Sequence, residues 1–174
     1  RALERSGVHV VYGFPHLKIH AKATLVIRRE GDVLRRYAHV GTGNYHTMNA
    51  RSYEDFGLFT ADPEIAADVA DLFNYLTGFG RPQRFRKLLV APWTLRSRLI
   101  DEIRAVAEAA SAGKKGRIRI KVNALTDQAI IEELYAASQA GVEIDLIVRG
   151  ICCLRPGVPG LSDRIRAMSI VDRN

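Results

Sequence analysis

The chain alternates two hydrophobic patterns, and this alternation constrains its fold more than any other feature. Short runs with apolar residues at every second position predict strands, and longer runs with apolar residues at every third or fourth position predict amphipathic helices. The pattern passes through two cycles, which meet near the stretch GFGRPQRF. Strands that alternate with helices favour sheets flanked by helices. We therefore expect an α/β protein of two units, residues 1–86 and 87–174.

The individual elements can be placed along the chain. In the first unit we expect a helix end at RALERSG, a strand at VHVVY, a hairpin of residues 18–29 and 33–41 around REGD, and a short strand near YEDFGLF. Asp62 followed by Pro63 is typical of a helix start, here for IAADVADLFNYLTGF. In the second unit we expect a strand at FRKLLVAP, a helix at TLRSRLIDEIRAVAEAASAG, a strand at RIRIKVNAL, a helix at TDQAIIEELYAASQAG, and strands at VEIDLIVRGICC and RAMSIV.

Composition limits the class of protein. The 174 residues are 47% hydrophobic and 26% charged, which is typical of a chain with a packed core. The net charge of +7 is divided between the two units as +3 and +4, and a positive field favours polyanions such as nucleotides or phosphate polymers without choosing among them. Cys152 and Cys153 are adjacent, which suits neither an ordinary disulfide nor a metal site. We expect a reducing, cytoplasmic compartment.

The stretch HLKIHAKATLVI, residues 16–27, suggests chemistry. Read at period two, its histidines and lysines fall on one face of a strand and its aliphatic residues on the other. A neutral imidazole can attack phosphorus near neutral pH because one ring nitrogen keeps a free lone pair, so His20 is a candidate nucleophile. Lys22, on the same face, could hold a phosphate oxygen. By itself this H-x-K pattern is weak, because a single histidine on a strand is more often structural.

GTGN, residues 41–44, strengthens the pattern. It ends the second strand of the hairpin, which places its backbone amides and the side chains of Thr42 and Asn44 near His20, in a position suited to oxyanions. Together these motifs resemble the phospholipase D superfamily, in which two such half-sites meet and a histidine takes up the phosphoryl group. The aspartate of that superfamily's pattern is Ile27 here. This departure argues against an ordinary phosphodiesterase.

A closer resemblance covers essentially the whole chain. GVHVVYGFPHLKIHAKATLVIRR, RYAHVGTGNYHTMNARSYEDFGLFT and VRGICCLRPGVPGLSDRIRAMSIVDRN are similar to the bacterial polyphosphate kinase family that works through a phosphohistidine. The resemblance implies two phospholipase D-like catalytic units, each a mixed β-sheet flanked by helices and each incomplete in this stretch. The second unit ends before its own histidine motif, which is expected soon after Asn174. The chain starts without an initiator methionine, so we expect a piece of a longer protein. Because the second histidine and the magnesium-associated arginines that the resemblance implies are expected outside this piece, we expect weak or no turnover from it alone.

The resemblance also implies residue roles. His20 matches the histidine that ATP phosphorylates, Tyr53 a tyrosine that contacts the nucleotide, and Arg149 an arginine that binds its phosphates. Lys22 and Asn44 are expected to bind substrate. Mg²⁺ is expected with ATP, and its protein contacts are expected outside this chain. The expected substrates are ATP or ADP and inorganic polyphosphate, with no nucleic acid, and the resemblance implies a homo-oligomeric parent protein with peripheral membrane association.

Several alternatives stay open on the sequence. His39 could help to orient phosphates, although a structural role is favoured, and His9, His16 and His46 have no spacing that indicates a metal site. A phospholipase D-like phosphodiesterase or nuclease would use the same histidine without ATP. A non-catalytic module could instead bind a polyanion through its basic surface. The preferred hypothesis is reversible transfer of the ATP γ-phosphoryl group through His20 to the end of polyphosphate.

Overall fold

The computed structural model describes residues 2–78, 80 and 84–170. The chain divides into two compact units, Arg1–Leu88 and Leu89–Asn174. Each unit contains one three-stranded sheet with helices beside it, which confirms the expected α/β class. No helix in the described ranges combines the length and the apolar character needed to cross a membrane.

The first unit is built on an antiparallel sheet in the order β1-β2-β3. Its elements are α1 (Ala2–Arg5), β1 (Lys22–Glu30), β2 (Val33–Gly41), α2 (Thr47–Ser52), β3 (Gly57–Thr60) and α3 (Pro63–Leu76). The hairpin expected around REGD is confirmed, since Glu30 pairs with Val33 and leaves a two-residue turn. Gly31 occupies the first turn position with a φ of +60°, as a type II′ turn requires.

The two faces of this sheet differ in chemistry. On one face Ala23, Leu25, Ala38 and Val40 pack with Ala66, Val69 and Phe73 of α3. Asp62 caps α3 as expected, because its carboxylate accepts hydrogen bonds from two backbone amides of the first turn. The opposite face carries the alternate residues of β1 and β2, including Lys22, Thr24 and His39. The sheet therefore has a packed side and a polar side.

The expected strand at VHVVY is wrong. Gly7 has a φ of +81°, and the amide of Val8 donates to the carbonyl of Leu3 at 3.0 Å, which closes the end of α1. Val11 and Tyr12 are exposed rather than paired in a sheet. The period-two pattern of residues 16–27 also predicts too long a strand, because β1 starts only at Lys22.

The strand expected at FRKLLVAP is wrong as well, and the reason is a single carboxylate. Asp68, fully buried on α3, accepts hydrogen bonds from the backbone amides of Arg86, Lys87 and Leu88. A strand would have used these amides in a ladder with another strand. The three amides are instead held by the Asp68 side chain of α3.

The second unit is a parallel sheet in the order β4-β5-β6. Its elements are α4 (Leu95–Ser111), β4 (Arg117–Val122), α5 (Gln128–Gln139), β5 (Glu143–Val148) and β6 (Ile165–Met168). The sequence predicts all five, although the end of RAMSIV and half of the GFGRPQRF stretch lie outside the described residues. Both helices pack on one face of the sheet, around a core that contains Ile103, Leu134, Ile144 and Leu146.

Candidate functional site

Four of the residues singled out in the sequence lie at one end of the first sheet. Lys22 pairs with Gly41, and Gly41 pairs with Gly57, so the start of β1, the end of β2 and the start of β3 are level. At this end of the sheet His20 lies two residues before β1. Asn44 lies three residues after β2, and Tyr53 lies four residues before β3. The antiparallel register therefore gathers His20, Lys22, Asn44 and Tyr53 at the same edge.

His20 and Lys22 are in direct contact. The Lys22 ammonium nitrogen lies 2.9 Å from Nδ1 and 3.2 Å from Nε2 of His20, and it donates to the His20 carbonyl oxygen at 2.7 Å. An ammonium group can only donate hydrogen bonds, and an imidazole offers at most one ring nitrogen with a free lone pair, so at most one of the two ring contacts is a hydrogen bond. The contacts place the Lys22 ammonium group directly beside the His20 ring. His20 is exposed, so a substrate can reach it.

The GTGN loop is tied to the segment before β3. The Thr42 hydroxyl donates to Asp55 Oδ1 at 2.8 Å and accepts the backbone amide of Phe56 at 2.9 Å. A Cβ atom at Gly43 would lie 2.5 Å from Asp55 Oδ2, so only glycine allows the loop this close. Thr42 therefore fixes the loop, and the exposed Asn44 at its end is the side chain that remains for a substrate.

Tyr53 lies at the C-terminal end of α2. Its backbone amide donates to the carbonyl of Asn49 at 3.1 Å, which fixes the main chain. Half of the residue is exposed, at 52%. An exposed phenol ring at this edge can pack against a base or donate to a phosphate.

A network around His39 is not predicted by the sequence in detail. Nδ1 of His39 lies 2.6 Å from the Tyr45 hydroxyl, and the Thr24 hydroxyl donates to the same oxygen at 3.1 Å. The imidazole also lies over two glycines, because a Cβ atom at Gly57 would be 2.7 Å from its Nε2 and one at Gly41 would be 3.0 Å from its Cε1. Gly41 on the same strand and Gly57 on the neighbouring strand β3 are the sequence signal that could have revealed this packing.

Arg149 lies in the second unit, directly after β5. Its amide donates to the Val122 carbonyl at 3.3 Å, so the parallel pairing continues past the end of the strand. The residue is exposed at the carboxyl end of the sheet, which is where ligands of open α/β sheets bind. This position suits a guanidinium that binds phosphate oxygens.

Charged groups of both signs lie near this end of the first sheet. The Lys22 ammonium group is a cation, and Asp55, which accepts from the Thr42 hydroxyl, is a carboxylate. Within residues 2–78, 80 and 84–170, no three His, Cys, Asp or Glu side chains are arranged to hold a metal ion.

Comparisons with known proteins agree along the whole chain. The family model "Polyphosphate kinase C-terminal domain 1" matches residues 1–82, and "Polyphosphate kinase C-terminal domain 2" matches residues 88–174. Polyphosphate kinases of Streptomyces coelicolor and Thermosynechococcus vestitus are 55% and 57% identical over 173 residues, which is 99% of this chain and 23% and 24% of theirs. The crystal structure of polyphosphate kinase from Porphyromonas gingivalis has a TM-score of 0.86 at 43% identity, over 98% of this chain and 28% of that one. The chain thus spans about a quarter of the length of these relatives.

Proposed function

The chain belongs to the polyphosphate kinase family, and from this premise we propose that it carries the phosphoryl-transfer part of a reversible ATP–polyphosphate phosphotransferase. His20 takes the γ-phosphoryl group of ATP and passes it to the terminal phosphate of polyphosphate. The observation that supports this role is the contact between the exposed His20 ring and the Lys22 ammonium group.

Lys22 has two roles in this proposal. While no phosphate is present, its ammonium group shields a lone pair of the imidazole by donating to the ring. An arriving phosphate oxygen is a stronger acceptor because it is charged, so the ammonium group turns to it and frees the ring nitrogen. The same cation then offsets the charge that builds up on the phosphate oxygens during transfer, where positioning and cations supply most of the catalysis.

The transfer has two steps. In the first, the free nitrogen of His20 attacks the γ-phosphorus, a P–N bond forms, the bond to the bridging oxygen breaks, and ADP leaves with the electron pair. In the second, a terminal oxygen of polyphosphate attacks the phosphorus, the P–N bond breaks, and the neutral imidazole returns. The first step breaks a phosphoanhydride P–O bond and forms a phosphoramidate P–N bond, and the second step does the reverse. The sequence of steps can therefore run in both directions.

The other residues bind the substrates. The exposed side chains of Asn44 and Tyr53 at the His20 edge contact the phosphates and the nucleotide, and Arg149 binds phosphate oxygens through its planar guanidinium. Mg²⁺ enters as part of the MgATP substrate, where it neutralises phosphate charge. The edge around His20 offers the nucleotide complex a cation and hydrogen-bond donors rather than a carboxylate cage.

The test uses the intact parent protein and γ-labelled ATP. We expect acid-labile label on histidine in the wild type and none in His20→Ala. The matched control is His46→Ala, another exposed histidine on the first unit, which should keep the label. Label that persists in His20→Ala would refute the assignment. Diester cleavage without ATP, lost in the same variant, would favour a phosphodiesterase instead.

A further inference from the structure

The second sheet has one face that neither α4 nor α5 covers, and that face is basic. Both α4 and α5 pack on the face formed by Ile118, Ile120, Val122, Ile144, Leu146, Val148 and Ile165. The opposite face carries the alternate residues of the same strands: Arg117, Arg119, Lys121, Glu143, Asp145, Ile147, Arg166 and Met168. Strands of a parallel sheet that are buried on both faces read as continuous hydrophobic runs. The alternating sequence RIRIKV of β4 instead indicates a face made for water or for a charged ligand.

Three guanidinium groups converge on this face around one carboxylate. Arg117 and Arg166 reach Asp145 at 2.9 and 2.7 Å, and Arg119 reaches it at 3.6 Å. The Asp145 side chain is only 13% exposed, whereas the three arginine side chains are 48% to 73% exposed. Hydrogen bonds from Arg117 and Arg166 hold the pKa of Asp145 below its ordinary value, so the carboxylate stays charged.

The carboxylate orders these cations without neutralising them. A guanidinium has five N–H donors, and Arg117 and Arg166 use only one and two of them on Asp145. The three arginine side chains therefore keep donors that a second anion can accept. With Lys121 and Glu143 included, the face carries four positive charges against two negative charges, so it keeps a net positive charge that an anion can meet.

The basic face continues toward Arg149. On β4 the cations repeat at every second residue, about 6.6 Å apart, so Arg117, Arg119 and Lys121 form a row about 13 Å long. On β5 the same alternation leads from Asp145 through Ile147 to Arg149. The row therefore ends beside the arginine that the proposed function assigns to phosphates.

We propose that this face, defined by Arg117, Arg119, Lys121, Arg149 and Arg166, is a binding track for the polyphosphate chain. Regularly spaced cations along a strand fit a linear polymer with a regularly spaced charge, and they require no base or sugar. The inference rests on the proposed function for its choice of polyanion. It extends that function from the transferred phosphate to the body of the polymer.

The test measures binding of end-labelled long-chain polyphosphate to the intact parent protein at several salt concentrations. Arg119→Glu is the main variant, because Arg119 has the longest contact with Asp145 and its loss leaves Arg117 and Arg166 in place. We expect about tenfold weaker binding and a shallower salt dependence. The matched control is Arg98→Glu, which makes the same charge change on an exposed arginine of α4 and should stay within twofold of the wild type.

Two further variants keep the proposal testable even if the glutamate variant fails to fold. Arg119→Gln should give an intermediate loss of affinity, and Arg119→Lys should give almost none. Equal binding by Arg119→Glu and Arg98→Glu would overturn the track. Displacement of polyphosphate by single-stranded RNA of equal charge with the same affinity would overturn the choice of polyphosphate. Label on His20 of the wild type reports separately on the proposed function, because binding of the polymer does not require the phosphohistidine.

Discussion

Replacing Asp68 by asparagine should release the segment that follows α3. Oδ2 of Asp68 accepts the amides of Arg86, Lys87 and Leu88 at 2.8, 2.6 and 2.9 Å, and Oδ1 accepts the Arg86 guanidinium at 2.9 Å. An asparagine can place its oxygen toward the three amides. Its NH₂ group then faces the guanidinium, donor against donor.

The size of the effect follows from the acceptor's charge. Hydrogen bonds to a charged acceptor contribute about 1.5–3 kcal/mol each and those to a neutral acceptor about 0.5–1.5 kcal/mol. Changing three bonds from charged to neutral therefore costs about 3 kcal/mol of local stability. Because about 1.4 kcal/mol is a factor of ten, amide exchange in this segment should accelerate about a hundredfold.

The assay is hydrogen exchange by mass spectrometry on peptides that contain residues 86–88. The matched control is Asp71→Asn, because Asp71 contacts the Arg86 side chain at 3.0 Å but none of the three amides. We expect less than a fivefold change in the control. Exchange in Asp68→Asn that stays within threefold of the wild type would refute the reasoning.

The same carboxylate makes the segment sensitive to acid. Burial raises the pKa of Asp68, but the amides of Arg86, Leu88 and Lys87 together outweigh burial and hold the pKa below its ordinary value. A lowered pKa gives stability that is fully present above the unfolded-state pKa of about 3.9 and is lost as the pH falls through the folded-state value. The difference in protection between wild type and Asp68→Asn should therefore stay constant near neutral pH and shrink below about pH 4.

Two substitutions at the His20 edge give further predictions. Lys22→Met removes the cation beside the imidazole and should slow labelling of His20 by about a hundredfold. The rate is measured by rapid quench with γ-labelled ATP. A rate within threefold of wild type would contradict the role of Lys22. Gly43→Ala places a Cβ atom 2.5 Å from Asp55 Oδ2, so it should push the GTGN loop away from Asp55 and slow the labelling of His20 about tenfold. The control is Gly31→Ala at the far end of the hairpin. It strains the turn but should leave the labelling rate unchanged. Equal rates in the two glycine variants would show that the loop position does not matter.

The sequence predicts most elements because local signals agree with tertiary packing. The hairpin turn at Gly31 and the cap at Asp62 both act within a few residues, and the structure contains both. The core of the second unit also follows from periodicity, because α5 and β5 bury their apolar faces as expected. The failures arise where a distant residue decides the outcome. Nothing local in FRKLLVAP shows that a carboxylate on α3 will take its amides.

The candidate site is predictable in its residues more than in its arrangement. H-x-K and GTGN are short motifs that can be read directly from the sequence. The pairing that brings Lys22, Gly41 and Gly57 side by side depends instead on the register of the strands. The ties through Thr42 and Asp55 and the network through Tyr45 join residues 13 and 6 positions apart, and no periodic pattern encodes them. The basic face of the second sheet is present in the sequence as RIRIKV, but its exposure becomes clear only because both helices lie on the other side.

The most direct test of transfer through His20 is a chase experiment on the intact parent protein. The protein is labelled with γ-labelled ATP, freed of nucleotide, and then mixed with unlabelled polyphosphate or with ADP. We expect label to leave His20 for the polymer in the first case and for ATP in the second, at least as fast as steady-state turnover. Label that remains on His20 while unlabelled ATP supports polymer growth would contradict transfer through this histidine.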